Sequence, residues 1–176
     1  GVLAVEKQRD VEEIWQELLP LLEEALREFE EVRDREGRAT YHDVAGLIER
    51  IAAEVETVDA RAPELEEKII DSIRSRFREV LGDEAEEQRI YAEAAALMVK
   101  HSIHEEVSRL RAHLDAFRAT MEKNEPVGKR LDFVCQELNR EINTISSKSI
   151  EADIHNSVIE VKDNLEKIRE QLRNVE

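Results

Sequence analysis

Apolar residues return every three or four positions along almost the whole of this chain, and nowhere do they alternate in twos for long enough to make a strand. At about 100° per residue this spacing gathers them on one face of an α-helix, so it dictates an all-α fold. Asp10 is placed to cap a first helix with Val11, Ile14, Trp15, Leu18, Leu22, Ala25, Phe29 and Val32 inward, ending near Gly37 and kinked or restarted at Pro20. Thr40 opens a second through Val44, Leu47, Ile48, Ile51, Val55 and Val58. Pro63 suits the first turn of a third, which turns Leu65, Ile69, Ile73, Phe77 and Val80 inward and stops before Gly82. A long helical stretch follows from Asp83 to about Lys123, with a break predicted where Ser102-Ile-His-Glu105 has the Ser-x-x-Glu pattern of a capping box. Residues 124–128 read as a loop, 129–145 as a helix, 146–149 as its break and 150–175 as a last helix. In that helix Ile154, Val158, Val161, Leu165, Ile168, Leu172 and Val175 keep heptad-like spacing. The expected architecture is an elongated bundle of long antiparallel helices in coiled-coil-like pairs. It comprises an acidic three-helix region over 1–82, a long or broken helix over 83–127 and a helical hairpin over 128–176.

Composition narrows the function classes. With 41 % hydrophobic residues, the 176-residue chain can bury a sizeable core, while 39 % charged residues can coat the exposed faces of long helices with ion pairs. The lone Cys135 excludes a disulfide framework and predicts a reducing, cytoplasmic compartment; with no histidine near it in sequence, it reads as a buried thiol. No apolar run approaches the ~20 residues needed to span a bilayer, and the start lacks a secretory signal, so no membrane partner is expected. Phosphate-cradling glycine loops, zinc-type cysteine pairs and a GxSxG elbow are all absent, which excludes several enzyme classes. The net charge of −16 opposes nucleic-acid binding, yet it is unevenly spread. Residues 1–99 hold 13 basic and 27 acidic groups, whereas residues 100–148 hold nine and eight.

Residues 128–149 place polar groups in a way that helix solubility does not require. Leu131, Val134, Leu138, Ile142 and Ile145 form the apolar stripe, and Asp132, Gln136, Asn139 and Asn143 form another. Asn is a poor helix former with both a donor and an acceptor at its tip, so these amides suit a face that bonds to something specific. A third stripe carries Phe133, Glu137, Arg140 and Thr144, flanked by Arg130 and Glu141.

The string Gly128-Lys-Arg-Leu-Asp-Phe133, followed by Gln136-Glu-Leu-Asn-Arg-Glu-Ile-Asn-Thr144, resembles the C-terminal domain of the YicC/YloC family of bacterial endoribonucleases. The chain end, from Leu165 to Glu176, is similar to that family's last residues, and sparser collinear echoes run through Arg35-Glu36-Gly37, Glu105-Glu106, Arg109-Leu110, His113 and Phe117. The resemblance implies an RNA endonuclease that cuts internal phosphodiester bonds in small-RNA or mRNA turnover and stress responses. It also implies help from a divalent cation, Mg²⁺ or Mn²⁺, and a ring-like homo-oligomer, a hexamer. Family members carry another domain before the point where this chain starts at Gly1, so the chain is expected to be a piece with low activity alone.

Within that frame Asp132, Glu137, Arg140 and Glu141 are the candidate catalytic residues, with Asp132, Glu137 and Glu141 also the candidate metal ligands. Paired carboxylates one turn apart can hold a divalent ion, and such an ion can activate water or offset charge in phosphodiester cleavage. Arg130, Arg140 and Lys148 would position phosphates, and Gln136, Asn139 and Asn143 would contact sugars or bases. The competing reading is a polar seam between subunits, Asp132 pairing with Arg140 and Glu137 with Arg130, in a non-catalytic scaffold for oligomers or a protein partner. A second possible metal group is His101, His104 and Glu105 at i, i+3 and i+4, with His113; chance adjacency and helix capping explain it as well. Ser146, Ser147 and Ser149 lack a nearby base and are expected to make local caps.

Overall fold

The computed structural model describes residues 11–81, 91–92, 95–97, 102–149, 151–173 and 175, and among them every regular element is helical. Among the described residues the helices with full bounds are α1 (Val11–Leu81), α2 (His104–Met121), α3 (Gly128–Lys148) and α4 (Ala152–Leu172), and residues 91–92 and 95–97 are helical as well. Two compact units are distinguished, one up to Tyr41 and one from His42.

The three helices expected before residue 82 are one. Pro20, Gly37 and Pro63 all lie inside α1. A proline removes one helical hydrogen bond and costs ~3 kcal/mol, and a glycine about 1 kcal/mol, so each weakens a helix without having to end it. In the unit up to Tyr41 the apolar positions stand open to solvent, with Trp15 49 % and Phe29 60 % exposed.

In the unit from His42, α1 buries Val44, Ile48, Ile51, Val55, Val58, Ala62, Leu65 and Ile69 in one core with Leu110, Leu114 and Phe117 of α2. Leu131, Leu138, Ile142 and Ile145 of α3 and Ile154, Val161, Leu165 and Ile168 of α4 complete it. Each such side chain taken from water contributes about 1.5–3 kcal/mol, so this core holds the unit together. Arg111 of α2 donates to Glu56 at 2.8 and 2.6 Å and to Asp59 at 2.7 Å, Arg118 donates to Glu49 at 2.9 Å, and Arg61 donates to Asp153 of α4 at 2.6 Å. The Arg111 guanidinium lowers the pKa of Glu56 below the ordinary carboxylate range through its hydrogen bond. Exposed pairs of this kind are worth ~0–1 kcal/mol each, and their effect is to fix register.

α3 lies against α2 on one side and α4 on the other. Lys148, at its last turn, meets Ser102 and Glu106 at the start of α2, while a short loop joins the other ends, so the two helices are antiparallel. Asp132 at the first turns of α3 meets Arg169 near the end of α4, which makes that pair antiparallel too. Gly128 opens α3 where the chain comes back: a Cβ there would stand 2.3 Å from the Val175 carbonyl oxygen. The break expected before α2 is present, but the capping box is not, because Ile103 occupies the N-cap position without a side-chain hydrogen bond. Ser102 offers its carbonyl to Lys148, and the Glu105 carboxylate accepts from Arg109. α3 runs on through the predicted break to Lys148, and Ser147 donates to the Thr144 carbonyl at 2.8 Å. Ser149 accepts the Glu151 backbone N–H at 3.1 Å, the local role expected of these hydroxyls.

Candidate functional site

Leu131, Val134, Cys135, Leu138, Ile142 and Ile145, together with Glu141, form the buried arc of α3. The opposite arc follows from helical geometry: Lys129, Phe133, Gln136, Arg140, Asn143 and Ser147 fall within about 80° of one another at 100° per residue and run for roughly 27 Å. All six are exposed. In a chain of net charge −16 this strip carries two cations, an aromatic ring, two amides and a hydroxyl, and no carboxylate.

The carboxylates lie on its flanks, each engaged. Toward α4, the Asp132 carboxylate accepts from Arg169 Nε at 3.0 Å and from Gln136 Nε2 at 2.7 Å. The Arg169 hydrogen bond, helped by Gln136, holds Asp132 below the usual carboxylate range. Toward α2, Glu137 lies 3.7 Å from Arg140. One turn deeper, the buried Glu141 lies 3.5 Å from Arg109, whose other partner is Glu105. The two carboxylates raise the Arg109 pKa, Glu105 more than Glu141.

The same seam continues to Lys148. Its ammonium donates to Glu106 Oε1 at 2.8 Å and to the Ser102 carbonyl at 2.9 Å. Glu106 is only 5 % exposed and its Oε2 has no protein partner. A buried carboxylate needs a counter-charge, and Lys148 supplies it.

The structure thus divides the residues that the sequence groups together. Asp132, Glu137 and Glu141 face three different arginines, not one another. Among the described residues no group of three or more His, Cys, Asp or Glu could hold a metal ion. Within the chain Asp132 pairs with Arg169 and Glu137 with Arg140. Arg130, Gln136, Asn139 and Asn143 are exposed, and His113 is half-buried. His104 turns to Glu66 at 3.3 Å and Asp59 at 4.0 Å of α1; His101 lies outside the described residues. Cys135 is buried, and burial pushes its thiol up to about 12, out of reach of nucleophilic chemistry near neutrality.

Sequence reasoning passed over Phe133, Glu106, Arg109 and Arg169 as site residues. Phe133 was detectable: it stands on the outward side of a helix whose apolar stripe is already complete without it, and it is 60 % exposed. Arg109 lies 32 residues from Glu141 and Arg169 37 from Asp132, and no local spacing announces those two contacts.

Residues 58–176 match a family model described as "Endoribonuclease YicC-like, C-terminal". A protein of Clostridioides difficile named "Probable endoribonuclease YicC" is 36 % identical over 173 residues, which cover 97 % of this chain and 59 % of that protein. One of the same name from Haemophilus influenzae is 34 % identical over 176 residues, covering 100 % of this chain and 61 % of the relative. The chain therefore spans about three fifths of the length of the curated relatives it matches.

Proposed function

This chain belongs to the YicC-like endoribonuclease family, and on that footing we propose that it forms the helical part of an endoribonuclease that grips RNA along α3 and cuts internal phosphodiester bonds beside it. The observation that carries this reading is the exposed strip of α3 without carboxylates in an otherwise acidic chain. Arg130 and Arg140 attract phosphates, while Gln136, Asn139 and Asn143 offer donors and acceptors to sugars and base edges. Glu137 lies at the edge of the strip beside Arg140, where a carboxylate can exchange a proton with the reacting ribose or leaving oxygen. Glu141 acts from below through Arg109, and Lys148 holds the start of α2 against the last turn of α3 through Glu106. Cleavage is expected to proceed with Mg²⁺ or Mn²⁺ in solution.

A second reading has an observation of its own. The open apolar face of residues 11–32 suits a homo-oligomer, a hexamer by family resemblance, in which the chain is a scaffold. One experiment separates the two. The whole protein carrying this chain is tested on an end-labelled small RNA with Mg²⁺ or Mn²⁺ and with chelator, as wild type, Arg140→Ala and Glu137→Ala, and each protein's mass is measured by light scattering. The nuclease reading expects losses of about 10²-fold or more in cleavage, of the size general acid–base groups contribute, at unchanged mass. Equal rates in all three overturn the α3 assignment, and loss of assembly favours the scaffold.

A further inference from the structure

We infer that Phe133 is a stacking platform for one unpaired RNA base, with Lys129 and Arg140 on either side taking the neighbouring phosphates, so that α3 selects single-stranded over duplex RNA. The inference rests on the RNA-binding reading above and adds to it the substrate form.

Phe133 is 60 % exposed on a helix whose own apolar stripe is fully used in the core. A lone exposed aromatic is ordinary on a protein surface, so its neighbours decide the reading. Within α3 the side chains that border position 133 are those three, four and seven residues away: Lys129, Arg130, Gln136, Glu137 and Arg140. None is apolar, so the ring is not the centre of a hydrophobic patch that a protein partner would cover. Two arginines and a lysine stand around an open π-face, and the carboxylate among these neighbours, Glu137, lies against Arg140. This combination fits a nucleic-acid strand: cations for the backbone, a flat ring for the base, and an amide at Gln136 within reach of the base edge. Lys129 and Arg140 are separated by a rise of roughly 16 Å along the helix, with Phe133 between them. In an A-form duplex the base faces are already stacked inside the helix and cannot reach a protein ring; only an unpaired base can.

The test is fluorescence anisotropy at one fixed salt concentration with the whole protein. Four RNAs of equal length serve as probes: an unstructured single strand, the same strand with abasic sites, the blunt duplex and an end-labelled competitor strand. The proteins are wild type, Phe133→Ala, Phe133→Trp and Arg140→Ala, each checked for helicity by circular dichroism. Phe133→Ala is expected to weaken single-strand binding by roughly 5- to 150-fold, the range of one base–aromatic stack. It should leave abasic and duplex binding unchanged, and Phe133→Trp should restore wild-type affinity. Arg140→Ala should weaken all RNAs alike. Wild-type single-strand affinity in Phe133→Ala, with Arg140→Ala weakened, overturns the stacking and leaves the RNA-binding reading standing. Equal loss on abasic or duplex RNA in Phe133→Ala also overturns it, because stacking needs a free base. Wild-type affinity in both variants removes the RNA-binding reading of α3 itself.

Discussion

Val11, Trp15, Leu18, Leu22, Ala25, Phe29 and Val32 follow one another at alternating steps of four and three, and so do Val44, Ile48, Ile51, Val55, Val58, Ala62, Leu65 and Ile69. Both series lie on α1, yet in the first Val11 is 79 % and Leu22 45 % exposed, while in the second Val55 is fully buried and Ile69 8 % exposed. The period declares that a helix has an apolar face; only the presence of α2, α3 and α4 decides that the face is covered. The second series is also fenced by Arg111, Arg118 and Arg61 pairs that fix the register of the neighbouring helices.

The sharpest test of this contrast is truncation on each side of it. Leu65→Ala should lower stability by ~2–5 kcal/mol, the cost of a cavity in a packed core, whereas Leu22→Ala should stay within ~0.5 kcal/mol. Urea melts of both variants measure it, and equal losses would mean that the first series is covered in solution. Glycines offer a smaller version. Gly128→Ala must displace the Val175 carbonyl and should cost ~1–3 kcal/mol, while Gly37→Ala meets nothing within 4 Å and should gain ~0.5–1 kcal/mol from helix propensity. The smallest effect concerns the cross-helix pairs of the second unit. The folded pKa of Asp132 is held below its unfolded value, so the Arg169 pair contributes stability above the unfolded pKa and loses it as pH falls through the folded one. Both side chains are more than a third exposed, at 39 % and 43 %, and solvent screening limits the contribution to ~0–1 kcal/mol. The stability gap between wild type and Asp132→Asn should therefore close as pH drops below about 4. A gap independent of pH would discount the ion pair.

What the residues disclose in advance is whatever is local. The helical class, the heptad of α4 and the burial of Cys135 all follow from spacing along one helix. The three helices expected up to Gly82 are one because Pro20, which reads as a kink or restart, Gly37, which reads as an end, and Pro63, which reads as a first-turn residue, each impose only a local penalty. The candidate site shows the same limit. Spacing places Glu137 and Glu141 one turn apart, but Glu137 sits at the surface by Arg140 and Glu141 is sealed beneath Arg109, a partner from another helix. Ser102 likewise has the chemistry of a cap, yet its carbonyl is what the neighbouring helix uses.

That last contact ties two helix ends into one event. α2 has no side chain capping its own first turn, and the ammonium that meets it there comes from the final turn of α3. Fraying of either end releases the other, so the pair should melt as a single cooperative block from that corner and not residue by residue.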